Sequence, residues 1–200
     1  MMNIPNMVRN AGRASLLLIF GAALAGCNAP SATQDATPPL AGAKIGGPFS
    51  LTDQDGKPVR DSDFAGRYRI VYFGYSYCPD ICPVDVQKLM RGLAAFEKAD
   101  PARGAKVQPI FITVDPARDT PAVLKAFVSR YHPRLIGLTG TPEQIAGSAP
   151  DRYLMAHPQL AFLMDPAGKP LALLPLDDPS TDVDEGAPDK VAADLGKWVK

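Results

Sequence analysis

Residues 72–83 read YFGYSYCPDICP and are the most informative stretch of the sequence for predicting the fold. They overlap an aromatic and β-branched run, residues 68–75, which is typical of a strand buried in the middle of a sheet. Pro83 suits the first position of a helix, where its missing N–H leaves no hydrogen bond unmade. The sequence therefore predicts a strand, a loop and a helix, with Cys78 in the loop and Cys82 near the start of the helix.

The segments on either side of this unit predict an α/β sandwich. Upstream, residues 49–59 alternate around Asp55-Gly56, which predicts a β-hairpin. Downstream, strands alternate with amphipathic helices, and a second hairpin and a last helix follow. The predicted helices are 84–99, 120–132, 141–149 and 187–200, and the predicted strands are 106–115, 135–140 and the hairpin 159–176. Strand–helix–strand connections imply parallel pairing. We therefore expect a thioredoxin-like fold, with a central mixed sheet flanked by helices and an N-terminal hairpin.

Residues 1–26 are predicted to be a leader that precedes the domain. Two arginines come before the apolar run 14–26, which is too short and too rich in small residues to span a membrane comfortably. The run leads into LAGC, residues 24–27, which resembles a bacterial lipobox. That resemblance implies cleavage before Cys27 and a diacylglycerol on its thiol. A plain signal peptide or a short anchor helix is the alternative.

Residues 27–46 are small, polar and rich in proline and glycine, so we expect a flexible tether there. The thioredoxin-like domain then covers residues 47–200. Each interpretation of the leader places this domain outside the cytoplasm. A lipid anchor would hold it at the periplasmic face of a bacterial membrane, with the inner membrane favoured over the outer.

The charge balance argues against a nucleic-acid partner. The chain carries 21 basic and 21 acidic residues, for a formal net charge of zero. A nucleic-acid-binding domain normally carries a clear excess of lysine and arginine on one face.

The chain has three cysteines, and lipidation of Cys27 would leave only Cys78 and Cys82. A disulfide over so short a loop would stabilise the fold weakly. A thiol near a helix N-terminus ionises more readily, and the thiolate is both the nucleophile of disulfide exchange and a metal ligand. A redox dithiol and a metal site therefore both stay open.

The spacing of the cysteines suits a soft metal ion. Three residues separate Cys78 from Cys82, whereas thioredoxin-type redox sites have two. The two sulfurs can therefore lie farther apart and adjust their separation more easily. Two sulfurs and one imidazole favour Cu(I), whereas zinc would normally need four ligands. Of the two histidines, His157 stands in the loop that faces the cysteines in such a fold, and His132 stands at a helix end.

Four motifs resemble the SCO/SenC family. They are GPFSLTDQDGKPV, YFGYSYCPDICP, ITVDPARDTP and GLTG, in this order, within residues 47–170. The resemblance implies a periplasmic, membrane-tethered thioredoxin-fold protein that binds copper, as Cu(I) or alternatively Cu(II), through Cys78, Cys82 and His157. It also implies a chaperone that helps to assemble the dinuclear CuA centre of cytochrome c oxidase. The implied partners are the oxidase subunit that carries CuA, other periplasmic copper chaperones and thioredoxin-like reductases.

A second function stays open beside the copper chaperone. A periplasmic thiol–disulfide oxidoreductase would use Cys78 for attack and Cys82 for resolution to reduce the oxidase cysteines, so whether the protein is an enzyme is not decided by sequence. Asp115 and Asp119 are weak candidates for residues around the metal, because carboxylates suit Cu(I) poorly. Pairing with Arg118, or capping of the next helix, is the alternative for both.

Overall fold

Seven strands among the described residues form one mixed sheet, and this sheet positions the cysteine loop. The computed structural model describes residues 37–149, 160–177, 184 and 186–200. The strands are β1 Ser50–Asp53, β2 Pro58–Arg60, β3 Tyr68–Gly74, β4 Val107–Thr113, β5 Ile136–Thr139, β6 Ala161–Met164 and β7 Pro170–Leu174. Their order across the sheet is β2-β1-β5-β4-β3-β6-β7.

The pairing directions confirm the predicted topology. Strands β3, β4 and β5 are parallel neighbours in the middle of the sheet. The β1–β2 hairpin extends the sheet on the β5 side, and the β6–β7 hairpin extends it on the β3 side, both by antiparallel pairing. Strand β3 therefore has a neighbour on each side, which explains its continuous apolar sequence.

Helices cover both faces of the sheet. They are α1 Ile81–Ala99, α2 Pro101–Gly104, α3 Pro121–Val128, α4 Pro142–Ser148 and α5 Pro188–Trp198, with a 3₁₀ helix at Asp61–Phe64. Helices α1, α3 and α5 bury their apolar side chains with one face of β3, and α4 and the 3₁₀ helix bury theirs on the other face. In the part of the chain that the structure describes, no helix has the length and apolar character needed to cross a membrane.

Three details differ from the sequence-based expectations. Helix α3 ends at Val128 and not at His132, because the chain turns at residues 129–131. Helix α1 begins at Ile81 and not at Pro83, so Cys82 lies inside its first turn. Proline is tolerated as the third residue because the first N–H groups of a helix have no acceptor within the helix. The short helix α2 was not predicted; the Asp100 side chain caps it by accepting a hydrogen bond from the Arg103 N–H at 3.0 Å.

The end of the predicted tether contacts the domain. The Leu40 N–H donates to the Leu171 carbonyl at 3.0 Å, and Leu40 and Ile45 pack against the buried side chains on the α4 face of the sheet. The predicted leader and Cys27 lie outside the described residues, so the domain boundaries stay predictions.

Close packing of α1 against α5 depends on a glycine. A Cβ added at Gly92 would lie 2.5 Å from the Cβ of Val191 and 2.9 Å from the Pro188 carbonyl oxygen. Any larger residue would push the two helices apart. Gly196, in α5, has no comparable restriction, since its nearest atom would be Cε2 of Phe96 at 4.0 Å.

We predict opposite effects for alanine at these two glycines. Gly92→Ala should lower the free energy of unfolding by about 1–3 kcal/mol, because overpacking outweighs the gain in helix propensity. Gly196→Ala should leave it unchanged or raise it by up to about 1 kcal/mol. Urea denaturation of both variants measures the difference, and equal stabilisation would contradict the close contact between α1 and α5.

Candidate metal centre

The two predicted cysteine ligands lie at the edge of the sheet where β3 ends. Cys78 lies in the loop after β3 and is half-buried, and Cys82 lies in the first turn of α1 with only 7% of its surface exposed. The Cys78 N–H donates to the Tyr75 carbonyl at 3.2 Å, and the Cys82 N–H donates to the Cys78 sulfur at 3.4 Å. Both residues are free thiols. The structure therefore brings the two thiols together where β3 ends and α1 begins, and their role as copper ligands stays a prediction.

The two thiols have different acidities. Burial alone would raise the pKa of Cys78, but the N–H groups of Cys82, Asp80 and Ile81 stabilise its thiolate, so the pKa falls below its ordinary value. Burial raises the pKa of Cys82 to about 11. Cys78 is therefore the thiol that ionises easily, and Cys82 stays protonated until a ligand or another reaction removes its proton.

A buried polar pair lies behind Cys82. The Tyr72 hydroxyl donates to the Asp85 carboxylate at 2.8 Å, and burial raises the pKa of Asp85 to about 6. A Cβ at Gly74 would lie 2.8 Å from the Tyr72 ring and 3.2 Å from the Cys82 sulfur, so glycine is needed at that position. This pair was not predictable from sequence, because an acidic residue near a helix start is normally a solvated charge.

The cysteine loop is tied to the neighbouring strand by Asp119. This side chain is fully buried and accepts hydrogen bonds from the Ser76 N–H at 3.0 Å, the Ser76 hydroxyl at 2.5 Å and the Thr113 hydroxyl at 2.6 Å. Asp119 therefore neither pairs with Arg118 nor caps α3, and Thr120 is the cap. Asp115, in contrast, does pair with Arg118: the two side chains form an ion pair.

An exposed arginine and two tyrosines lie beside the half-buried thiol. The Arg118 Cζ lies 5.7 Å from the Tyr75 ring centroid and 5.4 Å from that of Tyr77. Tyr75 and Cys78 pack against the same core, and the charge that Cys78 can carry raises the pKa of Tyr75. Tyr77 is 54% exposed, so the approach to Cys78 from solvent is aromatic and cationic.

The predicted third ligand, His157, lies outside the described residues. Among the residues that are described, no group of three or more histidine, cysteine and acidic side chains is placed to hold a metal ion. His132 is buried instead: its Nδ1 accepts from the Arg134 N–H at 3.2 Å, and its Nε2 lies 3.3 Å from Glu97. His132 is therefore occupied by contacts within the fold.

The chemistry of the two sulfurs fits a soft ion. Thiolates suit soft ions such as Cu(I), and the carboxylates of Asp115 and Asp119 are already held by Arg118 and by hydroxyl groups. The same two sulfurs also fit a dithiol that cycles with a disulfide. The geometry of the described residues is compatible with both uses.

The difference in acidity predicts selective alkylation. With iodoacetamide, Cys78 should react faster than Cys82 at every pH below 10, since only the thiolate reacts and the pKa of Cys82 is about 11. Tandem mass spectrometry locates the label. As the control, the two thiols should react at similar rates in urea. Equal rates in the folded protein would contradict the difference in pKa between Cys78 and Cys82.

The anchoring role of Asp119 predicts a large effect of a small change. Asp119→Asn replaces one accepting carboxylate oxygen with an NH₂ group, which donates, although three donors point at this side chain. We therefore expect the free energy of unfolding to fall by about 1–3 kcal/mol. Asp115→Asn is the matched control, because its ion pair with the exposed Arg118 should contribute less than about 1 kcal/mol. Urea denaturation checks both, and an equal loss in the two variants would be evidence against the anchor.

Similarity to known proteins extends over most of the chain. A family model described as SCO1/SenC matches residues 37–191. SenC of Rhodobacter capsulatus is 46% identical over 139 residues, which cover 63% of this chain and 61% of SenC. The chain spans about half the length of the curated relatives it matches, between 42% and 61% for three of them.

Solved structures confirm the fold. ScoI of Bradyrhizobium japonicum, solved with copper bound, is 35% identical with a TM-score of 0.60, and the match covers 77% of this chain and 99% of ScoI. The thioredoxin domain of a thiol-disulfide oxidoreductase from Bacteroides vulgatus is 17% identical with a TM-score of 0.53, covering 78% of this chain and 96% of that domain. The predicted thioredoxin-like sandwich is therefore confirmed, and the protein belongs to the SCO1/SenC family.

Proposed function

We propose that this protein binds Cu(I) through Cys78, Cys82 and His157 and supplies copper to the CuA centre of cytochrome c oxidase. The observation that carries the proposal is the junction between β3 and α1, where a loop thiol and a helix thiol of different acidity lie side by side. We infer CuA as the copper acceptor from the resemblance to the SCO/SenC family, which implies a role in CuA assembly. The related ScoI carries copper in its solved structure.

The environment of each sulfur suggests how copper enters and leaves. Cys78 is half-buried and ionises readily, so it would meet the incoming ion first. Binding to Cys82 would displace a proton from a buried thiol, which makes affinity rise with pH. Release would begin at the more accessible Cys78 sulfur, which an acceptor thiolate can replace while Cys82 still holds the ion.

The register of β6 supports His157 as the third ligand. Strand β6 runs antiparallel to β3, and Ala161, its first residue, pairs with Tyr72. The chain therefore enters β6 near the end of β3 from which the cysteine loop leaves. A histidine shortly before β6 suits a set of two sulfurs and one imidazole, which Cu(I) accepts.

The location and partners follow from the leader and the family. Lipidation at Cys27 and a tether over residues 27–46 would hold the domain at the periplasmic face of a bacterial membrane. There it would meet the oxidase subunit that carries CuA, together with other periplasmic copper chaperones or thioredoxin-like reductases.

The difference in acidity and burial between Cys78 and Cys82 favours a second function, thiol–disulfide oxidoreduction. The Cys78 thiolate would attack a target disulfide, form a mixed disulfide and release one target thiolate. Cys82, once deprotonated, would attack the Cys78 sulfur, release the second target thiolate and leave a Cys78–Cys82 disulfide. An external thiol reductant would supply the two electrons that restore the dithiol. An acidic attacking thiol and a buried resolving thiol suit this order.

A competition titration tests the copper site. The reduced protein, titrated without oxygen with Cu(I) held by a strong chelator, should bind one ion. His157→Ala should bind at least about tenfold more weakly, since even residues that only support metal ligands contribute 10–100-fold. His132→Gln is the matched control and should bind as tightly as the wild type. Failure of the wild type to hold one copper, or equal binding by His157→Ala, would refute the site.

The same preparation without copper tests the second function. If the reduced protein reduces a disulfide of the oxidase CuA domain, Cys78→Ser should abolish the reaction and Cys82→Ser should accumulate the mixed disulfide. Absence of the trapped species, with copper binding intact, would leave copper delivery as the function.

A further inference from the structure

Two arginines without a carboxylate partner lie at a cleft between α1 and the turn that follows α3. Arg91 lies on α1, and Arg130 lies in that turn. Both residues are exposed, and neither forms an ion pair with another residue that the structure describes. Three other arginines differ in this respect, because each pairs with an acidic side chain; they are Arg103, Arg118 and Arg134.

The sequence around each of these arginines explains why its charge is not balanced locally. On a helix, an arginine most easily pairs with an acidic residue three or four positions away. Residues 87–95, around Arg91, and residues 126–134, around Arg130, contain no aspartate or glutamate. Arginine stays charged at any ordinary pH. Two guanidinium groups without an ion pair therefore give the cleft a positive potential, which attracts anions.

The cleft has the size of a small-molecule site and is lined by hydrogen-bond donors. It encloses about 370 Å³ and is partly open to solvent, whereas ligand pockets typically measure about 300–1,000 Å³. Gln87 and Tyr131 line it together with Arg91 and Arg130, and we name it the arginine cleft. All four side chains can donate hydrogen bonds, and none carries a negative charge. Among the described residues, the side chains of Gln87 and Arg91 and the Tyr131 hydroxyl have no hydrogen-bond partner.

Two of the four side chains are held in place by the fold. The Arg130 Nε donates to the Ala126 carbonyl at 2.9 Å, and the Arg130 Cζ lies 5.9 Å from the Phe127 ring centroid. These contacts leave the two terminal NH₂ groups of the guanidinium for a ligand. The Tyr131 and Phe127 ring centroids are 5.1 Å apart, and burial raises the pKa of the Tyr131 hydroxyl, which therefore keeps its proton for donation. Groups that are already held lose less freedom when a ligand binds.

We propose that the arginine cleft binds a small phosphomonoester. This group carries nearly two negative charges at neutral pH and three terminal oxygens that accept hydrogen bonds. It would balance both guanidinium groups, and the planar N–H pairs of arginine match its oxygens. A carboxylate carries one charge and two oxygens, so it would leave one of the two arginines without a partner.

The volume of the cleft leaves room for a small polar body beside the phosphate. The same phosphate chemistry has two sources. One is a free phosphomonoester, and the other is the phosphatidate headgroup at a membrane surface. Separate experiments with a soluble probe and with vesicles distinguish them.

Calorimetric titration of the full chain in Tris chloride at neutral pH tests the proposal with three probes that share a three-carbon body. Glycerol phosphate should bind. Glycerate, which carries one carboxylate, should bind at least about tenfold more weakly, because it forms fewer charge-assisted hydrogen bonds. Glycerol, which carries no charge, should bind more weakly still.

Flotation with vesicles identifies the source of the phosphate. The protein is mixed with vesicles of phosphatidylcholine alone or with added phosphatidate, and the measured quantity is the gain in bound protein that phosphatidate causes. A gain that Arg91→Met abolishes identifies the lipid headgroup. Calorimetric binding of glycerol phosphate without such a gain identifies a free phosphomonoester; both results support the site.

Three matched variants locate the effect. Arg91→Met and Arg130→Met should each bind glycerol phosphate at least about tenfold more weakly, since each removes charge-assisted hydrogen bonds. Lys98→Met removes the same charge from an exposed residue about two turns further along α1, outside the cleft, and should bind like the wild type. All three should melt at the wild-type temperature, because substitutions of exposed residues change stability little.

Two results would overturn the proposal. One is wild-type protein that binds glycerol phosphate no more tightly than glycerate and shows no gain with phosphatidate. The other is binding of glycerol phosphate or phosphatidate that persists unchanged in both Arg91→Met and Arg130→Met, which would place the phosphate elsewhere. Neither result bears on copper binding by Cys78 and Cys82, since neither cysteine lines the arginine cleft.

Discussion

A buried carboxylate needs hydrogen-bond donors, and Asp119 takes two of its three donors from the loop that carries the cysteines. The Ser76 N–H and hydroxyl reach it from that loop, just after β3, and the Thr113 hydroxyl reaches it from the end of β4. These contacts fix the loop against two central strands before any ligand arrives. The position of Cys78, and the N–H groups that surround its sulfur, depend on this attachment.

The second constraint is the unequal environment of the two sulfurs. The N–H groups around Cys78 lower its pKa against the effect of burial, whereas burial dominates at Cys82 and raises its pKa. One accessible acidic thiol beside one buried thiol serves both a metal carrier and a dithiol reductant, since both reactions begin at the accessible sulfur. The fold therefore allows two functions at one site.

The elements that depend on local patterns were predictable from sequence. The continuous apolar run of β3, the helical spacing that buries Val86, Leu89 and Leu93 on α1, and the two hairpins all appear where expected. The start of α1 differed by two residues, because proline is compatible with the whole first turn of a helix. The motifs also identified the SCO/SenC family, which the family model confirms.

The contacts that depend on distant residues were not predictable. Asp119 meets Ser76 across 43 positions of sequence, and no local pattern distinguishes it from Asp115, which pairs with its neighbour Arg118. The burial of Asp85 against Tyr72 and of Arg69 against Phe64 likewise depends on how separate elements pack. His157 lies outside the described residues and stays a prediction.

X-ray absorption at the copper K edge of the Cu(I)-loaded protein reports the ligands of the proposed copper site. We expect a three-coordinate ion with two sulfur ligands and one nitrogen ligand in the wild type, and loss of the nitrogen in His157→Ala. A wild-type spectrum with sulfur ligands alone, or identical spectra for the two proteins, would contradict it.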